Sequence, residues 1–182
     1  MIFSETPLKG AFLLEVEKRE DERGYFGRTF CMREFESHGL NPRVVQCSIS
    51  FNRRKGTLRG MHWQTTPYEE SKLVSCLRGR IYDVIIDLRP DSQTYTRHFA
   101  TELSGVNRQM VYVPEGFAHG FQTLEDDTEV FYQISQIYSS EHSRGARWDD
   151  PAFSISWPPA ERIIIERDRN YPLFLKKVAL RP

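Results

Sequence analysis

The stretch Gly56-Thr57-Leu58-Arg59-Gly60-Met61-His62-Trp63-Gln64 sets a histidine, an arginine, two glycines and a tryptophan within nine positions, and it follows the apolar–polar run 44–51. A strand ending in such a run points Arg59 and His62 into whatever space the rest of the chain encloses. His62 is therefore the residue around which a site is expected.

Working outward, the chain reads as short strands cut by turn signals. Upstream, 11–17 is apolar, 18–24 is a charged turn closing on Gly24, 25–31 resumes as a strand, and 32–38 is a short helix stopped by Gly39 and Pro42. Residues 43–51 alternate as a strand, and 52–56 form a polar turn. Downstream, 71–77 and 80–88 flank Arg78-Gly79, which signals a hairpin, and 98–103 with 109–113 make a further pair around Gly105-Val106-Asn107. In the run 80–88, Ile81, Asp83, Ile85 and Asp87 share one face, and Tyr82, Val84, Ile86 and Leu88 the other. Strand 117–124 follows Pro114-Glu115-Gly116, and 128–138 is one long alternating run that puts Tyr132 and Tyr138 on the same face. Residues 149–159, with Trp148 and Trp157, form a cover; 161–166 gives one more strand, and 171–175 a terminal apolar piece. Strands of this length at about ten-residue spacing, with no crossover-helix period, predict an all-β sandwich or barrel with a few short helices.

Composition narrows the function. The 182 residues suit one domain, 1–182, and 25 basic residues balance 25 acidic ones. No broad field therefore favours nucleic acid or a membrane surface. No apolar run approaches the ~20 residues of a membrane span, and the first residues carry no leader pattern, so a cytoplasmic protein is expected. Cys31, Cys47 and Cys76 have no metal or redox spacing and read as buried free thiols.

The frame Gly-x5-His-x-His, a later Glu, then Pro-x-Gly-x-x-His is the metal pattern of cupin jelly rolls. Here Gly56, His62 and the run Pro114-Glu115-Gly116-Phe117-Ala118-His119 keep the frame. Gln64 stands at the second histidine position, and Lys72 near the carboxylate position. An amide and an ammonium remove two ligands and add a cation, so a metal-free pocket is expected. A histidine base on one side of such a pocket, a tyrosine acid on the other and a lysine to hold an anionic oxygen suit proton removal beside a carbonyl. Replacing that proton on the opposite face is epimerisation, without metal or redox cofactor.

The runs Gly-x-Leu-Arg-Gly-x-His at 56–62, Lys72, Asp83-Val84 with Asp87-x-Arg89, Pro-x-Gly-Phe-Ala-His-Gly-Phe at 114–121, Trp-x-Asp-Pro at 148–151 and Trp157-Pro158 come in the order of one family. Over nearly its whole length the chain closely resembles the dTDP-4-dehydrorhamnose 3,5-epimerases. That resemblance implies a cupin-type jelly roll, a homodimer, no cofactor, and inversion at C3 and C5 of dTDP-4-dehydro-6-deoxy-D-glucose to give dTDP-4-dehydro-L-rhamnose. It assigns His62 as base, Asp168 as the carboxylate that orients it, Tyr132 as the opposing acid and Lys72 as partner of the enolate oxygen. Arg59 and His119 fall near the sugar and diphosphate. Arg23, Phe26, Gln46 and Tyr138 fall where the family binds the nucleotide, and Arg167 adjoins Asp168. Three positions depart from the pattern: Arg28 and Ser143 stand where glutamates are usual, and Ser48 where asparagine is. They motivate a sibling epimerase acting on another nucleotide sugar, or inverting one centre only. A metal-binding or sugar-binding cupin is the alternative from another class.

Overall fold

Two facing antiparallel sheets carry the chain in the computed structural model, which describes residues 1–174. The elements are β1 Ile2–Glu5, β2 Phe12–Glu15, β3 Arg19–Asp21, β4 Gly24–Phe26, α1 Met32–Ser37, β5 Gln46–Asn52, β6 Leu58–Gln64, β7 Lys72–Arg78 and β8 Arg80–Asp87. They continue with β9 His98–Ser104, β10 Met110–Val113, β11 Phe117–Thr123, β12 Thr128–Ile134, β13 Ser143–Gly145 and α2 Glu166–Arg169. One sheet has the order β1-β2-β10-β7-β12-β5 and the other β13-β6-β11-β8-β9, with β3 and β4 forming a separate hairpin. This is the expected all-β, jelly-roll arrangement.

Alternation explains the layers. On β8, Ile81 and Ile85 join Val74, Val111, Phe121 and Val130 between the sheets, while Val84 and Ile86 pack outward against Met61, Ala118, Ala146 and Phe153. Both faces of that strand carry apolar side chains because both are covered. The cover is the expected segment around Trp157, whose indole Nε1 donates to the Trp148 carbonyl at 2.7 Å. Outside the six-stranded sheet, α1 buries Phe35 against Leu14, Leu73, Met110 and Tyr112.

Several expectations are corrected. Arg78-Gly79 is not a hairpin turn, since β7 and β8 belong to different sheets and the chain crosses the sandwich there. The same holds for β9 and β10. A glycine turn reports that the chain reverses, and says nothing of which sheet receives it. The charged turn 18–24 belongs to the β3–β4 hairpin, and of the strand expected at 25–31 only Tyr25 and Phe26, in β4, are strand. The long run ends at Ile134, so Tyr138 lies in the following loop. Residues 161–166 form no ladder strand: Ile163 makes one parallel bridge to Thr57, and α2 starts at Glu166. Cys76 is buried, but Cys31 is half-buried and Cys47 exposed, because Cys47 alternates onto the outer face of the edge strand β5. Leu175, in the expected terminal piece, lies outside the described residues. Among the described residues, no helix is long and apolar enough to cross a membrane.

Candidate active site

A cavity of about 540 Å³ opens between the sheets, within the ~300–1,000 Å³ range of small-ligand sites. Its first wall is β6 with β11. His62 stands opposite His119 in that ladder, and the register then shifts so that Arg59 pairs with Phe121. Arg59, His62 and His119 all line the cavity. His119 Nε2 lies 2.7 Å from Asp83 Oδ1, on the neighbouring β8. Asp83 Oδ2 is buried and has no hydrogen-bond partner among the described residues. The Arg59 guanidinium donates from Nε to Asn52 Oδ1 at 2.8 Å, which ties the first wall to β5.

Asp168 reaches His62 across 106 positions of sequence, at 2.9 Å between Nε2 and Oδ1. The delivery is explicit. Leu58 N–H donates to the Ile163 carbonyl and Ile163 N–H to the Gly56 carbonyl, so 163–165 run beside the start of β6 and along the cavity. The next turn, α2, drops Asp168 beneath β6, where it is 1% exposed and its Oδ2 accepts the Gly60 N–H at 3.2 Å. Arg167 donates from Nε to Asp168 Oδ1 at 3.1 Å. Burial opposes ionisation of Asp168, but the bonds from His62, Gly60 and Arg167 outweigh it and hold the carboxyl below its ordinary range. An imidazole Nε2 that donates to this carboxylate has no lone pair left for Arg167 Nη2. The basic nitrogen is then Nδ1.

The facing wall belongs to the six-stranded sheet. Tyr132 and Ile134 on β12, Gln46, Ser48 and Ser50 on β5, and Lys72 at the head of β7 all line the same cavity. Burial, reinforced by the Asp83 charge, pushes the Tyr132 phenol far above its ordinary value and outweighs the lowering effect of Arg59. The phenol thus stays protonated, as a proton donor must. Lys72 Nζ lies 2.7 Å from Glu70 Oε1.

Of the expected site residues, His62, Asp168, Tyr132, Lys72, Gln46, Ser48, Arg59, His119, Tyr138, Ser143 and Arg167 are brought together around one cavity. Arg23, Phe26 and Arg28 are not. Arg23 pairs with Asp21 at 2.6 Å on the β3–β4 hairpin, Phe26 is 75% exposed there, and Arg28 pairs with Glu34 at 2.8 Å. Sequence reasoning missed Glu70 as a cavity residue and the pairing of Asp83 with His119. It also missed the duty of Gln64, whose Nε2 donates to the Tyr68 and Ile137 carbonyls while its Oε1 accepts the Ser139 N–H.

Known proteins share this sequence pattern and fold. The profile of the family described as dTDP-4-dehydrorhamnose 3,5-epimerase matches residues 5–176. A dTDP-4-dehydrorhamnose 3,5-epimerase of Methanothermobacter thermautotrophicus is 44% identical over 172 residues, covering 93% of this chain and 92% of its own. The crystal structure of the enzyme of that name from Elizabethkingia anophelis superposes with a TM-score of 0.93 at 40% identity, covering 96% of each chain. A Legionella pneumophila relative, solved in complex with dTDP-4-keto-L-rhamnose, is 32% identical with a TM-score of 0.86, covering 92% of this chain and 89% of its own. With fold and sequence agreeing over nearly the full length, this chain belongs to the dTDP-4-dehydrorhamnose 3,5-epimerase family.

Proposed function

We propose that the protein epimerises dTDP-4-dehydro-6-deoxy-D-glucose at C3 and C5, yielding dTDP-4-dehydro-L-rhamnose. The 4-keto group acidifies both carbons, so the chemistry asks only for a base, an oxyanion partner and an acid on the opposite face. His62 Nδ1 takes the C5 proton, and the charge that develops on O4 is met by the Lys72 ammonium. The Tyr132 phenol then gives its proton to the other face of C5, and the enolate collapses to the ketone. His62 and Tyr132 exchange protons with solvent, and the cycle repeats at C3. Asp168 orients the imidazole and favours the imidazolium formed in each cycle. Arg59, Arg167 and His119 supply N–H donors for the diphosphate and sugar oxygens.

One observation carries this reading. His62 and Tyr132 come from opposed sheets and line one cavity, so a sugar ring between them is reached on both faces. The test is turnover in heavy water, with the product read by NMR. Deuterium should enter at C3 and C5; retention of protium at both positions would remove the idea.

A second reading keeps the chemistry and changes the nucleotide. Ser48 and Ser143 line the cavity as short neutral side chains where the family pattern carries an asparagine and a glutamate. Calorimetry with dTDP, CDP and GDP separates the two, and a clear dTDP preference dismisses the second.

The working unit is a homodimer in the cytoplasm. The hairpin residue Phe26 is 75% exposed, and Ile49 and Phe51 on the edge strand β5 are 61% and 46% exposed. A second copy that covers β5 can bring its own Arg23 and Phe26 to the mouth of the cavity. The three cysteines are free thiols, which suits a reducing compartment. Light scattering after size exclusion reads the dimer directly, and a monomer at micromolar concentration would exclude it.

A further inference from the structure

Asp168 and Glu70 are the two carboxylates that line the cavity among the described residues, and only Asp168 has a part in the chemistry above. Glu70 lies 2.7 Å from the Lys72 ammonium, and the two side chains are only 11% and 12% exposed. Two charges in so little water persist only as a well-matched pair.

The backbone that carries them is fixed. Ser71, between the two, donates its N–H to Ser135 Oγ at 2.8 Å and accepts the Ser135 N–H at 3.0 Å. Lys72 itself sits in a three-strand ladder, opposite Val113 on one side and Ile134 on the other. The rigid part ends at the lysine Cα. Beyond it, a four-carbon stem carries a compact charge with three rotatable donors and considerable rotamer freedom. An oxyanion partner works only if it is aimed before the charge appears.

We propose that Glu70 is a positioning residue of the reaction: its carboxylate pairs with the Lys72 ammonium at 2.7 Å and so fixes it where the sugar's 4-keto oxygen gathers charge. The N–H donors of the ammonium are then aimed at that oxygen. Glu70 touches no reacting atom and acts through Lys72 alone. The inference rests on the epimerase reading of the cavity.

The experiment compares Glu70→Leu, which keeps the bulk, Glu70→Ala and Glu70→Gln, each alone and in a Lys72→Met background. The readouts are kcat, KM and the rate of deuterium uptake from heavy water. Leu and Ala should lower kcat about tenfold, with KM changed less than about twofold, since misaiming a group costs rate more than affinity. Gln should recover most of the rate, because its amide oxygen still attracts the ammonium at the same place. In the Lys72→Met background, Glu70→Leu should slow exchange no further. Wild-type kcat in Glu70→Leu overturns the proposal, and so does a tenfold loss that persists undiminished without Lys72. If the epimerase reading itself is wrong, the failure looks different: the unmodified protein exchanges no proton with the substrate, and the proposal falls with it.

Discussion

Arg59 and His62 stand three positions apart on one strand and line the same cavity. Strict alternation would send them to opposite faces. Opposite β11, the three steps from Arg59 to His62 answer two steps from Phe121 to His119, so β6 carries one extra residue. This bulge re-aims the strand, as bulges beside active sites do. It depends on close contact between Gly60 and Gly120. A Cβ on Gly60, whose φ is +124°, would meet Gly120 Cα at 2.5 Å, and one on Gly120 would meet Met61 Sδ at 2.7 Å and the Arg59 carbonyl at 2.8 Å. Gly120→Ala should therefore destabilise the fold by at least about 2 kcal/mol. Thermal denaturation would read this as a fall of roughly 6 °C in Tm. Turnover should fall further than stability does, since re-forming a regular ladder turns one of the two side chains away.

Tyr132→Phe separates the two halves of the proton transfer. His62 and Lys72 remain, so on the proposed mechanism wash-in of deuterium from heavy water should persist, while net inversion falls about a hundredfold or more. The NMR coupling pattern of the product distinguishes exchange from inversion. In the unmodified enzyme, burial keeps the phenol proton in place, so Tyr132 should contribute no alkaline limb to the pH–rate profile below its ordinary value of 10.0.

The carboxyl of Asp168 is held below its ordinary 3.8, so its ionised form stabilises the folded state more than the unfolded one. That contribution is fully present above pH 3.8 and is lost as pH falls through the lower folded value. Asp168→Asn should cost about 2 kcal/mol at neutral pH, as expected for hydrogen bonds to a charged group. In urea melts, the gap between the two proteins should be constant above about pH 5 and close progressively as the medium is acidified below 3.8. A gap that widened in acid would contradict the sign.

How far the sequence could be read follows from what each signal encodes. Alternation and turn residues located most strands, because both are local properties of the chain. Sheet membership is not local, and Arg78-Gly79 therefore read as a hairpin when it joins two sheets. Residues 163–165 look like a strand because three isoleucines are apolar, yet they line the cavity and their backbone makes a single bridge, to Thr57 just before β6. His62, Lys72 and His119 were legible from the spacing of the cupin frame. Tyr132 followed from alternation, and Asp168 came only from family resemblance. Glu70 and Asp83 were hidden, since a charged residue in a charged surface stretch or an apolar strand carries no mark of its partner.

Gln64, at the second histidine position of the cupin frame, has a structural task of its own. Its amide is spent on three backbone groups: the Tyr68 carbonyl at 2.9 Å, the Ile137 carbonyl at 3.3 Å and the Ser139 N–H at 2.6 Å. Gln46 completes the hold by accepting the Tyr138 N–H at 2.7 Å. The loop that carries Tyr138 to the cavity mouth has no ladder of its own, so these side-chain bonds fix it. Buried polar groups so fully engaged specify one geometry. Gln64→Leu keeps the volume and leaves three backbone groups without their partner, at about 1–3 kcal/mol each where water cannot replace it. The loop should loosen while β6, His62 and Asp168 hold their places. The expected result is a KM raised about tenfold with kcat nearly unchanged, because the family resemblance puts Tyr138 among the nucleotide-binding positions and the proposed proton transfer does not use it. Hydrogen exchange at 137–139 should accelerate in the same variant. A fall in kcat at unchanged KM would instead tie Gln64 to the chemistry.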